Sequence, residues 1–288
     1  MRQEAYLRRM TEADMREVQT VMESVGWHFT PQVVRRRFEW SGETTFCIEE
    51  NGRLCATGIG IAYGTRLGWV GMIITHTACQ RRGFARQMTV QVIESLQERG
   101  VACIMLDASR LGQPLYEQLG FHPLYDILIY SGRATAAIQQ ASSVRLARAE
   151  DIPAIIRLDG EVFGIERAQI VTDMIEDFPD FCWVDVHDGA VNGFLLAQPD
   201  ANGHYAHIGA WAHQAANGAD GLFGKALERF ADWELRVEIP EANSAAQAIV
   251  TRYGLAVSGG CTRMVYANGV PPSGAPLRQF GIMGFSTG

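Results

Sequence analysis

The sequence has one lysine, Lys225, and no C-x-x-C pair. No apolar run reaches the ~18 residues that a membrane-crossing helix needs. Its start, Met-Arg-Gln-Glu-Ala-Tyr, lacks the apolar core of a secretory signal. These absences argue against a membrane protein, a secreted disulfide scaffold and a cysteine-ligated metal domain. The six cysteines are Cys47, Cys55, Cys79, Cys103, Cys182 and Cys261. Most lie in apolar runs, so they are expected as reduced thiols in a cytoplasmic protein without a metal. No His or Asp pairing marks Cys79 as a nucleophile. Genome base composition explains the scarcity of lysine better than function does. Neither half of the chain is basic enough for nucleic acid to be the main partner.

What is present is bulk, and one plan written twice. The 288 residues, 47% hydrophobic and 20% charged, suffice for one large domain or two ordinary ones with packed cores. Residues 1–133 carry 15 arginines against 14 acidic residues, and residues 134–288 carry 10 basic against 18 acidic. The net charge of −7 therefore arises from the second half, at −8, against +1 in the first. That excess favours a cationic small molecule weakly, and ordinary solubility explains it as well.

The repeat has a shift of about 134–137 residues, read by aligning the chain with itself. Arg8-Arg9-Met10-Thr11-Glu12-Ala13-Asp14-Met15 answers Arg145-Leu146-Ala147-Arg148-Ala149-Glu150-Asp151-Ile152. Phe46-Cys47 and Asn51-Gly52 answer Phe181-Cys182 and Asp188-Gly189. Gln80 answers Gln214, and Leu119-Gly120-Phe121 answers Tyr253-Gly254-Leu255. The stretch from Gly132 to Ser143 is small and polar, as a linker should be. The expected domains are 1–133 and 143–288.

Within the first copy the elements alternate. Thr11 precedes a helix whose apolar face is Met15, Val18, Met22 and Val25. Pro31 suits the first turn of a second helix. Phe46 to Tyr63 reads as a hairpin turning at Asn51-Gly52, a type I′ signal. Trp69 to His76 is a further strand. A helix with Phe84, Met88, Val92 and Leu96 on one face follows, and Gly100 ends it. Val101 to Leu106 is continuously apolar, hence a strand buried on both faces. A short helix, Pro114 to Leu119, and a strand near Leu124 to Tyr130 complete an α/β unit: a mixed sheet with helices on its faces.

The stretch richest in chemistry runs from Ile73-Ile74-Thr75 through Gln80-Arg81-Arg82-Gly83-Phe84-Ala85. A strand ends, a basic turn follows and a helix begins. Helix starts carry unpaired N–H groups and the positive end of the macrodipole, which together bind phosphate. Gly83 lets the backbone approach an anion, and Ala85 keeps the first turn narrow. An ordinary strand–helix turn with solvated arginines would read the same way.

The context separates the two. Gln80-Arg81-Arg82-Gly83-Phe84-Ala85 resembles the Gln/Arg-x-x-Gly-x-Gly/Ala hallmark of the GNAT (GCN5-related) N-acetyltransferases. Leu115-Tyr116-Glu117-Gln118-Leu119-Gly120-Phe121 resembles the family's Leu-Tyr-x-x-x-Gly-Phe. The two lie about 35 residues apart, separated by the helix and buried strand read above. Gly26-Trp27, Trp69-Val70-Gly71-Met72 and Leu106-Asp107-Ala108-Ser109 are similar to a subgroup that joins a second, degenerate GNAT domain. Val237-Glu238-Ile239-Pro240-Glu241-Ala242-Asn243 and Phe280-Gly281-Ile282-Met283-Gly284-Phe285 resemble that second domain.

The resemblance implies two tandem domains, each a mixed, mostly antiparallel sheet flanked by helices. It implies acetyl-CoA as co-substrate, in a wedge between Trp69–His76 and Val101–Asp107. Backbone groups at Ile73, Ile74 and Thr75 would pair with the pantetheine arm, and Gln80 to Ala85 would hold the diphosphate. Ser109 and Gly112 would contact the cofactor, and Tyr116 would protonate the departing thiolate. A phenol of pKa ~10 stays protonated at neutral pH and so suits that role. Many relatives carry a carboxylate on the strand before the turn, and Trp69–Thr75 has none. The base is therefore open among Asp107, His76, Glu39, Glu43, Asp126 and water held by backbone carbonyls. Trp27, His28 and Phe29 cluster where an acceptor pocket is expected, with Met72 on the facing strand; Trp40 reads as packing.

The second copy replaces the turn with Gln214-Ala215-Ala216-Asn217-Gly218-Ala219 and places Val250 where Tyr116 stood. One working site is expected, the second domain acting as wall, lid or homodimer surface. The leading expectation is acetyl transfer to a primary amine of a small, cationic acceptor such as an aminoglycoside-type amino sugar. The alternatives are a non-catalytic acyl-CoA-binding sensor or scaffold, and transfer to a protein amine.

Overall fold

The computed structural model describes residues 4–27, 29–135, 143–200 and 203–288. Residues 136–142 of the expected linker lie outside the described residues. The first copy runs β1 (Tyr6–Arg9), α1 (Met15–Glu23), α2 (Pro31–Ser41), β2 (Thr45–Glu50), β3 (Arg53–Tyr63), β4 (Leu67–Thr75), α3 (Phe84–Glu98), β5 (Ile104–Ser109), α4 (Gln113–Gln118) and β6 (Phe121–Gly132). The second repeats that order: β7 (Val144–Leu146), α5 (Ile152–Phe163), α6 (Ala168–Asp177), β8 (Cys182–His187), β9 (Ala190–Pro199), β10 (Tyr205–His213), α7 (Ala216–Arg229), β11 (Glu234–Pro240), α8 (Ser244–Arg252) and β12 (Ala256–Tyr266). A short β13 (Gln279–Gly281) is added at its end.

The chain forms two compact units. The first holds Met1–Pro123, Met264–Pro271 and Thr287; the second holds Leu124–Arg263, Pro272–Ser286 and Gly288. The expected division at 133 and 143 follows the repeat, whereas the compact units do not. Most of β6 belongs to the second unit, and Met264–Tyr266 at the end of β12 belongs to the first. Because β6 and β12 close their copies at equivalent positions, the repeat pattern does not distinguish which unit each strand joins.

In the first unit the strands run in the order β1-β2-β3-β4-β5, antiparallel except for β4 and β5. Asn51 and Gly52 both take left-handed φ values, 52° and 75°, as the type I′ turn requires. Asp188 and Gly189 do the same in the second copy, at 51° and 77°. Core residues cover both faces of the sheet. Phe84, Met88, Val92 and Leu96 of α3 pack with Phe46, Val70 and Leu106. On the other face, Val18, Val21 and Met22 of α1 and Val34 of α2 pack with Cys47, Ile59, Met72 and Ile74. β5 begins at Ile104, later than the apolar run suggested, for a local reason. Gly100 turns left-handed, and the N–H groups of Gly100 and Val101 bond back to Gln97 and Leu96 carbonyls, a Schellman close to α3.

The repeated Arg–Asp positions form the same device twice. Arg8 donates to both carboxylate oxygens of Asp14, at 2.8 and 2.7 Å, and Asp14 accepts from the Thr11 N–H at 2.7 Å. Arg145 donates to Asp151 at 2.6 and 2.9 Å, and Asp151 accepts from the Arg148 N–H at 2.8 Å. Each pair ties the first strand to the turn that opens the first helix. The Arg8 hydrogen bond, against the cost of burial, holds the Asp14 carboxyl down at about 2. A carboxyl depressed in the folded state stabilises the fold above its unfolded value. That contribution is lost as pH falls from about 4 towards 2. Asp14→Asn is expected to cost about 1–2 kcal/mol at neutral pH and to flatten this limb of the stability curve. Thermal melts between pH 5 and 2 check it; an unaltered limb in the variant would assign the acid sensitivity elsewhere.

The second unit is ordered β6-β11-β10-β9-β8-β7. Trp211, Phe223, Phe230, Tyr253 and Phe280 dominate its core. Among the described residues, no helix is long and apolar enough to cross a membrane. Among the same residues, no group of three or more His, Cys, Asp or Glu side chains is placed to hold a metal ion.

Candidate functional site

The site follows from where two parallel strands separate. Among the described residues, β4 and β5 pair through Gly68↔Ile104 and Trp69↔Met105 and no further. On its other edge β4 stays paired with β3 as far as Ala56↔Thr75. Val70–Thr75 and Leu106–Ser109 therefore run on as the two flanks of an open wedge. The Thr75 hydroxyl lies buried without a hydrogen-bond partner, and the Thr75 carbonyl accepts from the Gln80 amide at 3.4 Å.

Met72 interrupts β4. It takes a left-handed φ of 53°, and the register with β3 slips between Thr57 and Ile59. The Thr57 hydroxyl donates to the Met72 carbonyl at 3.1 Å and holds this bulge in place. Met72 then packs with the α1 and α2 side of the sheet, while its neighbour Ile73 packs with the α3 side. Sequence reasoning missed the bulge, since the adjacent Gly71 is the residue that invites a positive φ.

Beyond β4, His76 caps a single 3-10 turn, Thr77–Cys79: its Nδ1 accepts from the Ala78 N–H at 3.1 Å. With Nδ1 accepting, a neutral imidazole carries its proton on Nε2, which removes His76 as a ready base. Arg81 and Gly83 both turn left-handed, at φ 61° and 81°. Such alternation points successive N–H groups into one concavity, at the open start of α3. Arg82 donates to both oxygens of Glu50 on β2, at 2.8 and 2.6 Å, and lies 4.6 Å over the Phe84 ring. Glu50 is thus a further contributor, reached across 32 positions and invisible to local motif reading. Arg81 and Gly83 are exposed, Ala85 is half-buried and Phe84 is buried at the edge of the core.

Tyr116 is positioned by the turn before α4. Gly112 N–H bonds to the Ser109 carbonyl at 2.9 Å and the Ser109 hydroxyl at 3.2 Å. A Cβ on Gly112 would come within 3.0 Å of the Tyr116 ring, so glycine lets the ring lie against the turn. The ring meets Phe121 edge-on at 5.9 Å. Tyr116, Ile73 and Cys79 border one core cluster, which brings α4, β4 and the basic turn together. Asp107 is half-buried on β5.

The expected acceptor residues gather on the opposite face. Gly26, at φ 80°, closes α1 with a second Schellman turn: Gly26 N–H bonds to Glu23 and Trp27 N–H to Met22. Trp27 emerges 43% exposed and meets Phe29 edge-on at 6.2 Å. Phe29 packs beside the cluster that contains Met72. His28 lies outside the described residues. A small cavity near Met72 is lined by Met10, Met15, Val18, Val34, Phe38 and Arg37, with no carboxylate among the lining residues. Glu39 and Glu43 are spent on exposed pairs with Arg36 and Arg9. Asp126 belongs to the second unit and accepts from the Thr262 hydroxyl at 2.7 Å.

The second copy differs at each of these points. Eight residues separate β4 from α3, but only Gln214 and Ala215 separate β10 from α7. The turn is shortened rather than substituted, which the match of Gln80 to Gln214 does not reveal. His213, the counterpart of His76, accepts from the Ala215 N–H at 2.8 Å and contacts the buried Asp185 carboxylate at 2.9 Å. A Cβ on Gly193 or Gly218 would strike the His213 ring, so the ring packs directly against both glycines. The wedge itself is filled. β10 and β11 pair as far as Ile208↔Val237. β13 then pairs with β10 at Trp211↔Gly281 and Ala212↔Gln279, and the Ile282 N–H bonds to the Glu238 carbonyl at 2.9 Å. Asn243 caps α8 and donates to the Gln279 carbonyl at 2.9 Å, which pins this segment. Val250 is fully buried where the first copy has Tyr116.

Comparisons with known proteins agree with this layout. A GNAT acetyltransferase family model matches residues 12–121, and a GNAT acetyltransferase domain model matches residues 155–277. The uncharacterized N-acetyltransferase YitH of Bacillus subtilis (strain 168) is 28% identical over 147 residues, 50% of this chain and 51% of that protein. The chain thus matches about half the length of this curated relative. A crystal structure from Pyrococcus horikoshii, provisionally described as an acetyltransferase, superposes with a TM-score of 0.85 at 20% identity, covering 99% of this chain and 96% of that one. A tandem GNAT protein from the clavulanic acid biosynthesis pathway superposes at 0.64 with 13% identity, covering 91% and 98%. The two matched models together span most of the sequence, and the chain belongs to the GNAT acetyltransferase family, with two of the family's domains in tandem.

Proposed function

We propose that the first unit is an acetyl-CoA-dependent N-acetyltransferase and that the second is catalytically silent. The observation that carries this reading is the wedge between β4 and β5, which opens beside a turn lined with backbone N–H groups. The orphaned Thr75 hydroxyl and the left-handed Arg81 and Gly83 suit a pantetheine arm followed by a diphosphate. When bound, the thioester supplies the activated acetyl group. Backbone groups at Ile73 to Thr75 align the arm as a neighbouring strand would, and the N–H groups from Arg81 to Ala85 hold the diphosphate. The acceptor nitrogen attacks the thioester carbonyl, the C–S bond breaks and Tyr116 gives its phenolic proton to the sulfur. Asp107 is the carboxylate we assign to removing the acceptor's proton, water on backbone carbonyls being the other route.

The acceptor reading is a primary amine of a small, cationic molecule, an aminoglycoside-type amino sugar being the favoured class. The exposed Trp27, with Phe29 behind it, suits stacking on a sugar ring or covering a cation. The cavity by Met72 has room for no more than about one water, so it does not itself hold an acceptor. An amine panel tests the acceptor class. Release of free CoA thiol is measured with aminoglycosides, polyamines and arylalkylamines. Turnover with one class identifies the acceptor, and no turnover with any amine would favour the non-catalytic acyl-CoA sensor instead.

The filled wedge of the second unit sets the stoichiometry. Titration calorimetry with acetyl-CoA is expected to give one site per chain. Two equivalent sites would contradict the silent role of the second unit.

A further inference from the structure

Two thiols meet beneath the basic turn, and the proposed chemistry uses neither. Cys55, on β3, is buried at 3% exposure, and Cys79, at the end of the 3-10 turn, is half-buried. The Cys79 Sγ–H donates to Cys55 Sγ at 2.7 Å. The backbone produces this meeting. His76 N–H bonds to the Cys55 carbonyl at 2.9 Å, which sets residue 76 opposite residue 55. Cys79 N–H bonds to the His76 carbonyl at 2.8 Å, which folds the chain back over that pair. The next residue, Gln80, begins the N–H-lined turn.

We propose that Cys55 and Cys79 form a redox modification site, in which a low-molecular-weight disulfide converts the pair to an intramolecular disulfide that ties the start of the turn to β3. The sulfurs need only close from 2.7 Å to the ~2.05 Å of an S–S bond. Burial, the hydrogen bond from Cys79 and the nearby Glu50 push the Cys55 thiol up to about 12. The accessible Cys79 therefore attacks first. Its thiolate displaces one thiolate from the small disulfide and leaves a mixed disulfide on Cys79. Cys55 then gives its proton to water and attacks Cys79 Sγ, which expels the second thiolate. The pair loses two protons and two electrons, and the small disulfide becomes two thiols. A dithiol reductant reverses the change.

The full-length protein is treated with glutathione disulfide, and its remaining thiols are alkylated. The expected result is the loss of two of the six thiols. Before alkylation the intact mass falls by about 2 Da, and a digested peptide joins Cys55 to Cys79. Cys79→Ser is expected to keep its five thiols under the same treatment. Cys55→Ser is expected to stop at one glutathione on Cys79. Six surviving thiols in the wild type, or a linkage between other cysteines, would overturn the proposal.

The link to the turn rests on the acetyl-CoA reading. The oxidised protein is expected to bind acetyl-CoA several-fold more weakly, with recovery on reduction. Equal affinity in the two forms would refute that coupling. If the disulfide forms and neither form binds acetyl-CoA, the dithiol site stands and the acetyl-CoA reading falls.

Discussion

Replacing Tyr116 by phenylalanine is expected to cut kcat about 10²–10⁴-fold, the range of a lost general acid. Acetyl-CoA affinity should stay within about twofold, because phenylalanine keeps the ring's dispersion contacts and loses only the hydroxyl. The ring meets Phe121 edge-on and lies against Gly112, and neither contact needs the phenolic oxygen. A melting temperature measured beside the kinetics checks that the fold is kept. Steady-state kinetics and calorimetry on the same preparation separate the two effects. A loss of binding equal to the loss of turnover would make Tyr116 a structural residue. Unchanged turnover would mean that another group, or solvent, protonates the thiolate.

Gly83→Val is the second large effect, and it acts on binding. Gly83 stands at φ 81°, where a β-branched residue is strained by roughly 1–2 kcal/mol. An added Cβ meets nothing within 4 Å, so strain rather than a clash opposes the substitution. The exposed turn relieves that strain by changing shape, and its N–H groups no longer converge. Acetyl-CoA Kd is expected to rise about tenfold to hundredfold, as one or two strong anion contacts are lost. Gly83→Asn should lose less, because asparagine tolerates the left-handed region. The order Gly, Asn, Val in affinity marks conformation as the cause. A valine variant that binds as the wild type does would remove the turn from the site.

The element order was legible because each device that sets it is local. Pro31 at the first turn of α2, Asn51-Gly52 in its type I′ turn and Gly100 past α3 each fix a boundary with adjacent residues. The apolar stripe of Phe84, Met88, Val92 and Leu96 states which face of α3 is buried. The tandem plan was legible for the same reason, since Arg8 and Asp14 return as Arg145 and Asp151 with the same bonds. What escaped depends on contacts between distant positions. Glu50 meets Arg82, Cys55 meets Cys79, and Asn243 reaches Gln279 only after the sheet has formed. The positive φ of Met72 escaped because tertiary pairing to Thr57, not residue type, imposes it. The shortening of the second turn escaped because Gln80 and Gln214 align in sequence while the loops around them differ in length.

The filled wedge of the second unit also gives the silence we propose for that copy a physical cause beyond substituted side chains. β13 takes the edge of β10 that the diverging β11 leaves, and Phe280 and Ile282 are buried with it. A competing pantetheine arm would have to displace a packed strand, whereas among the described residues no strand pairs with that edge of β4 beyond Trp69.

The most direct measurement is a crystal structure of the full-length protein with CoA bound. The account predicts the diphosphate within hydrogen-bond distance of the N–H groups from Arg81 to Ala85, and the pantetheine arm alongside Ile73 to Thr75. A nucleotide bound anywhere else on the chain, or crystals that take up none at saturating concentration, would contradict it.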